Sequence, residues 1–184
     1  MNIKYKLVLK DLVDFYMKHA RDVKKFRLEA IVSKEFIVLV YLILYLILPS
    51  SSEKSILYCE YVLIIMAILV ILFDTKLKIY ITKRKLIKMY KIEEYSSLFA
   101  EASITLNTEG VEYMNLFSET IYKWDYVRSI HEVDDYLIIM CNEQIVIPVN
   151  CFKCEDEKNN FVNVICEKTD LIVNKKFPEK FIFI

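Results

Sequence analysis

The chain has 184 residues, with 25 Lys or Arg balanced by 25 Asp or Glu, one Gly, three Pro, five Cys and a hydrophobic fraction of 55%. The zero net charge hides a division: residues 1–101 hold 17 basic and 11 acidic side chains, whereas residues 102–184 hold 8 and 14. The acidic half lacks the positive surface that nucleic acid requires, and one glycine is too few for a phosphate loop or a dinucleotide fingerprint.

At the N-terminus Ile3, Tyr5, Leu7 and Leu9 alternate with Lys4, Lys6, Val8 and Lys10, the period of a half-buried strand. From Asp11, a plausible N-cap, Leu12, Val13, Phe15, Tyr16 and later Val23, Phe26 and Leu28 fall on one helical face. Residues 1–35 are too few for a domain of their own. Their strand and helix are expected to pack on the larger C-terminal part.

Residues 36–73 are almost free of charge. Phe36 to Ser52 gives 17 residues with no Asp, Glu, Lys or Arg, and Ser55 to Phe73 gives 19 with Glu60 as the one charge. At a rise of about 1.5 Å per residue each run approaches the roughly 30 Å of a bilayer core, so the sequence predicts a two-helix transmembrane hairpin with its turn near Pro49. Nine Lys or Arg precede the hairpin and seven lie between Lys76 and Lys91, against Lys54 alone in the turn. The expected location is a bacterial cell membrane, crossed twice, with both termini cytoplasmic. The bias toward Lys, Ile, Tyr and Asn fits an AT-rich bacterial genome. Four of the five cysteines would then face a reducing compartment, which argues against a disulfide framework.

Residues 74–101 read as a basic juxtamembrane connector. Lys83, Arg84, Lys85, Lys88 and Lys91 are its candidate contacts to the lipid bilayer and its anionic headgroups, each contributing about 1 kcal/mol near a charged surface.

From Ala102 the texture changes to short strands: Ala102–Leu106, Val111–Phe117, Thr120–Trp124, Val127–Val133, Tyr136–Cys141 and Gln144–Val149. Asn107 to Gly110 reads as a turn that uses the sole glycine for a positive φ, and Asp134-Asp135 and Asn142-Glu143 read as tight turns. Six strands at this spacing predict an antiparallel sheet curled on itself. A closing helix starts at Glu155-Asp156-Glu157, acids suited to the positive end of its dipole. The fold class expected for the whole is therefore an α+β membrane protein, in which residues 102–184 form a cytosolic β-domain of pleckstrin-homology (PH-like) layout.

The runs Ile104 to Val111, Tyr122 to Val127, Asp134 to Ile139 and Ile145 to Pro148, taken with the hairpin and the basic connector, resemble the YcxB-like family of bacterial membrane proteins. The resemblance covers nearly the whole chain and implies two membrane spans and a PH-like cytoplasmic domain, with no activity to carry over. Trp124 and Pro148 are its fold signature, and Trp124 is expected in the core with Ile104, Leu106, Ile121, Val127, Ile138, Ile147 and Phe161.

No cluster specifies a reaction. Cys151 and Cys154 have the spacing of half a zinc site but no second pair, so no metal and no cofactor is expected. Cys154 is better placed as a helix N-cap with Glu157 three residues on, and is the thiol expected to react first. His19 and His131 have no nucleophile at a motif spacing. The functional expectation is a non-enzymatic membrane protein whose cytosolic domain binds a protein partner or lipid as a scaffold or regulator, with oligomerisation open. The alternative is an immunity protein that shields its producer from a toxin or bacteriocin.

Overall fold

The structure, a computed structural model, describes residues 1–47, 54–92 and 98–181, apart from the side chains of residues 44–47, 54–60 and 63. Within them the fold is α+β, with two four-stranded sheets and four α-helices. The first sheet joins β1 (Asn2–Lys6), β2 (Glu101–Leu106), β3 (Gly110–Met114) and β4 (Glu119–Lys123) in that order, every pair antiparallel. The second has the order β7-β6-β5-β8, from β5 (Ser129–Val133), β6 (Tyr136–Met140), β7 (Gln144–Pro148) and β8 (Val173–Asn174), which lies parallel to β5. The helices are α1 (Leu9–Lys18), α2 (Lys24–Ile47), α3 (Lys54–Tyr90) and α4 (Glu155–Thr169).

The N-terminal strand pairs with β2 from the other side of both long helices in sequence, Ile3 opposite Ile104 and Tyr5 opposite Ala102. Alternation decides which side chains go in: Ala102, Ile104 and Leu106 of β2 are buried while Glu101 is exposed. They meet Ile130, Leu137, Ile139, Ile145 and Ile147 of the second sheet, with Phe161 and Ile165 of α4, in one core.

The second sheet is covered on both faces. Val133, Ile138 and Val146 point away from that core into another, built from Leu12, Val13 and Tyr16 of α1, Phe26 of α2, Leu86 and Tyr90 of α3, and Phe177 and Phe181. This is why β6 and β7 read as continuous apolar runs instead of alternating ones.

Three expectations need correction. The predicted transmembrane hairpin, and with it the cell-membrane location, is overturned: among the described residues no helix is long and apolar enough to cross a membrane. The physical reason is where the helices begin and end. The apolar run from Phe36 is the second part of α2, whose first part carries Lys24, Lys25, Arg27, Glu29, Lys34 and Glu35, and the run ending at Phe73 continues without a break through Asp74, Lys76, Lys78 and Lys83 of α3. The expected outer turn at residues 48–53 and the side chain of Glu60 lie outside the described residues. Second, the single curled PH-like sheet is replaced by two separate sheets. Third, Gly110 does not have a positive φ; the positive values belong to Asp134 and Asp170.

α4 is tied to the second sheet by charge as well as by packing. The buried Lys158 ammonium donates to the Glu132 carboxylate at 2.7 Å, and Lys175 donates to the other carboxylate oxygen. The hydrogen bonds from Lys158 and Lys175 hold the Glu132 carboxyl below its ordinary range, and the bond to Glu132 raises Lys158. A depressed carboxylate stabilises the fold above its unfolded value, and that contribution is lost as pH falls through the folded value. A raised ammonium stabilises below its unfolded value, and is lost as pH rises through the folded one. The pair therefore supports folding at neutral pH and fails first on the acid side. Denaturant unfolding of Lys158→Met at pH 7 and at pH 3 is expected to show a flatter loss of stability with acid than the parent chain; parallel losses would remove the pair from the acid response.

Candidate functional site

The basic residues singled out in the sequence lie at the C-terminal end of α3, and the structure divides them. Lys83 is committed to a carboxylate oxygen of Asp14 on α1. The Arg84 guanidinium lies over the Tyr80 ring, 4.7 Å from its centroid. Arg84, Lys85 and Lys88 border a shallow groove with Tyr80 and Ile81, and Lys91 is exposed just past the helix end. The five do not form one cluster around a common point. Lys83 points to α1, and Arg84, Lys85 and Lys88 share the groove.

A second basic group was not singled out by the sequence reading. Arg21, in the link between α1 and α2, joins Arg27 and Lys34 of α2 and Lys76 of α3 around a cleft of about 460 Å³ whose apolar lining includes Phe26, Ile31 and Leu72. Arg27, Ile31 and Lys34 follow one another at helical spacing and so share a face. The signal was present in the sequence as that spacing, but Arg21 and Lys76 are brought in only by the packing of α2 against α3.

Between the helices Asp74 is buried, and it is held without full satisfaction. The Ser33 hydroxyl donates to its Oδ1 at 3.2 Å, while Oδ2 has no hydrogen-bond partner among the described residues and faces the Lys78 ammonium at 3.8 Å. Lys78 in turn donates to the carbonyl of Glu29 at 2.7 Å. Asp74, Ser33 and Lys78 thus lock α2 to α3 where the apolar parts of both helices begin.

Beyond this lock the two helices expose large apolar side chains to an unusual extent. Phe36 is 64% exposed, Leu42 55%, Tyr61 63%, Ile65 56% and Leu72 65%, with Val38, Leu39, Val62, Ile64, Ile68 and Phe73 also outside any core. Isolated exposed apolar residues are ordinary, but a continuous set along two neighbouring helices marks a surface that meets another apolar phase or molecule.

Another cavity, of about 290 Å³, lies where the first sheet, β6 and β7 meet α1 and the end of α3, lined by Tyr5, Tyr16, Tyr90, Tyr113 and Tyr122 among others. The Tyr122 hydroxyl donates to Glu143 at 2.9 Å. Burial, followed by that hydrogen bond, raises Tyr122, and burial raises Tyr5 and Tyr16 well above the ordinary phenol value. Tyr5, Tyr16 and Tyr122 are therefore held as neutral phenols.

The remaining candidates serve the fold. Cys154 occupies the N-cap of α4 in extended conformation, but its thiol makes no capping bond; the Glu157 carboxylate instead accepts the Lys153 backbone N–H at 2.7 Å. Cys154 is exposed, whereas burial pushes the Cys141 and Cys151 thiols up to about 11. Among the described residues no group of His, Cys, Asp and Glu could hold a metal ion. His19 bridges Asp22 at 3.0 Å and Asp134 at 2.8 Å and stacks on Phe177, joining α1 to the β5–β6 turn. The His19 bond to Asp134 and the one from Lys18 hold the Asp134 carboxyl below its ordinary range. His131 lies on β5 and bonds the Lys176 carbonyl and the Ser129 hydroxyl.

Trp124 is not a strand residue of the core. It opens a 3-10 turn after β4, half-buried against the core's rim, and its indole N–H donates to the Thr108 carbonyl at 3.2 Å. Ile121, also expected inside, is 46% exposed, while Ile104, Leu106, Val127, Ile138, Ile147 and Phe161 are buried. Pro148 ends β7 opposite Tyr136, a neighbour of Asp134 and Asp135 at the mouth of an acidic groove.

No protein-family model matches the chain, and no curated protein or solved structure matches it significantly. The resemblance to the YcxB-like family rests on the quoted sequence runs alone.

Proposed function

We propose that the protein is a non-enzymatic lipid-binding protein, in which the paired sides of α2 and α3 contact hydrocarbon and the flanking basic residues meet anionic headgroups. The observation that carries this reading is the set of exposed apolar side chains that includes Phe36, Val38, Leu39 and Leu42 on α2 and Tyr61, Val62, Ile65, Leu72 and Phe73 on α3. On both helices a basic residue lies close to it: Lys34 comes two positions before Phe36 on α2, with Glu35 between, and Lys76 three after Phe73 on α3, with Asp74 and Thr75 between. Apolar area withdrawn from water supplies affinity, and Lys and Arg near an anionic surface add to it in a salt-dependent way. Long basic side chains can lay their stems on apolar surface while the charge stays near water, and the Lys76 ammonium stands over the Phe73 ring, 5.9 Å from its centroid. The reading concerns contact along the sides of the helices and requires no helix to cross a bilayer.

Flotation of the full chain with vesicles tests it. The protein is expected to rise with phosphatidylglycerol vesicles and less with phosphatidylcholine, the difference shrinking as salt rises from about 0.05 to 0.5 M, where the Debye length falls below about 5 Å. Protein that stays at the bottom of the gradient with both lipids would refute the reading.

A further inference from the structure

Among the described residues, Arg21, Arg27, Lys34 and Lys76 place four cations around one cleft. No carboxylate lines it. Among the described residues none of the four has an ion-pair partner, and nearby acids are engaged elsewhere, Asp22 by His19 and Asp74 by Ser33 and Lys78. Glu29 lies two residues from Arg27, a spacing that turns it off that helical face, and Glu35, four residues after Ile31, is exposed and does not line the cleft. Like charges gathered without a counter-charge oppose the packing of α2 on α3, and an anion in the cleft would relieve that repulsion. Two guanidinium forks match the oxygens of a phosphate, and two ammonium groups add charge without directional demand.

The cleft is not uniformly polar. Ile31 and Leu72 are part of its lining, and both continue into the exposed apolar sides of their helices, Ile31 toward Val38 and Leu72 toward Ile65. A ligand that places an anionic group among the four cations therefore has a path for an attached hydrocarbon chain.

The geometry points to a phosphate headgroup site for an anionic lipid in this cleft, with Arg21 and Arg27 as its bidentate contacts and the acyl chain laid along Ile31 and Leu72. The inference rests on the lipid-binding reading and deepens it, because it assigns headgroup recognition to this cleft in place of Lys85, Lys88 and Lys91 at the far end of α3.

The test compares the full chain with Arg21→Gln/Arg27→Gln, Arg21→Lys/Arg27→Lys and Lys85→Gln/Lys88→Gln, each checked by circular dichroism for an unchanged fold. The readout is the phosphatidylglycerol concentration at half-maximal flotation. The Gln pair at 21 and 27 is expected to need about tenfold more lipid, the Lys pair an intermediate amount, and the pair at 85 and 88 no more than about twofold more. Glycerol 1-phosphate, the headgroup chemistry without chains, is expected not to displace the protein at a few millimolar. If the Arg21→Gln/Arg27→Gln protein floats like the parent, or if the pair at 85 and 88 has the larger effect, the cleft is not the headgroup site while lipid binding itself stands. If glycerol 1-phosphate displaces the parent chain, the ligand is a free phosphate compound and the lipid assignment of the cleft fails. A parent chain that floats with no vesicle defeats the lipid reading first, and the cleft assignment with it.

Discussion

Phe161→Ala is expected to lower the unfolding free energy by about 3–5 kcal/mol, enough to leave a domain of ordinary stability largely unfolded. Phe161 is fully buried on α4, in the core where that helix meets both sheets, and its ring packs edge-on to Phe152 at a centroid distance of 5.5 Å. Removing the ring forfeits its transfer free energy and leaves a cavity. The same core holds many β-branched side chains, among them Ile104 of the first sheet and Ile147 of the second, which are stiff at χ1 and collapse poorly into a void. Denaturant unfolding followed by far-UV circular dichroism measures the effect, with Phe161→Leu expected to recover about half of it. A Phe161→Ala midpoint within error of the parent would mean that α4 does not close this core.

The strands were the most legible part of the chain, because their signal is local. Ala102, Ile104 and Leu106 alternate with exposed or half-exposed positions, and β2 buries those three residues. The misassignments have equally local causes. Ile121 and Trp124 were placed together in the core, yet a period of two puts residues 121 and 124 of an extended strand on opposite faces; Tyr122 took the inward position and Trp124 fell into the turn beyond the strand. The apolar runs after Phe36 and before Phe73 carry strong hydropathy, but they do not reveal that the helices begin at Lys24 and continue to Tyr90, because the change from charged to apolar composition at those points is not accompanied by a helix end. The candidate site was hardly legible. Lys83 and Asp14 are 69 residues apart and His19 and Asp134 115, and no spacing rule anticipates such pairs. The basic cleft draws on a link and two helices, so its members count as topology signals until the packing of α2 on α3 gathers them.

Gly110→Ala is the second substitution expected to have a large effect, for a reason different from backbone freedom. Gly110 starts β3 opposite Lys123 of β4, and a methyl group there would sit 2.1 Å from the Tyr122 carbonyl oxygen and 2.8 Å from the Lys123 Cα. Those atoms are backbone of a paired strand, so a rotamer change cannot relieve the clash and the two strands must part. Overpacking of this kind costs about 1–3 kcal/mol, and here it acts on a ladder whose separation is set by hydrogen bonds. The turn that delivers Gly110 is otherwise well formed: the Asn107 side-chain oxygen accepts the N–H groups of Glu109 and Gly110 at 3.2 and 3.0 Å. Asn107→Ala removes those bonds without inserting bulk, and is expected to cost about 1 kcal/mol, less than Gly110→Ala. Trp124, the sole tryptophan, reports the difference. Its backbone N–H reaches the Glu109 carbonyl and its indole N–H the Thr108 carbonyl, so separation of β3 from β4 draws the ring away from the core's rim. Gly110→Ala is expected to combine an earlier unfolding midpoint with red-shifted tryptophan emission in the native state, whereas Asn107→Ala shifts the midpoint alone. Native emission and a midpoint that both match the parent would show that β3 and β4 have room for a side chain at this position.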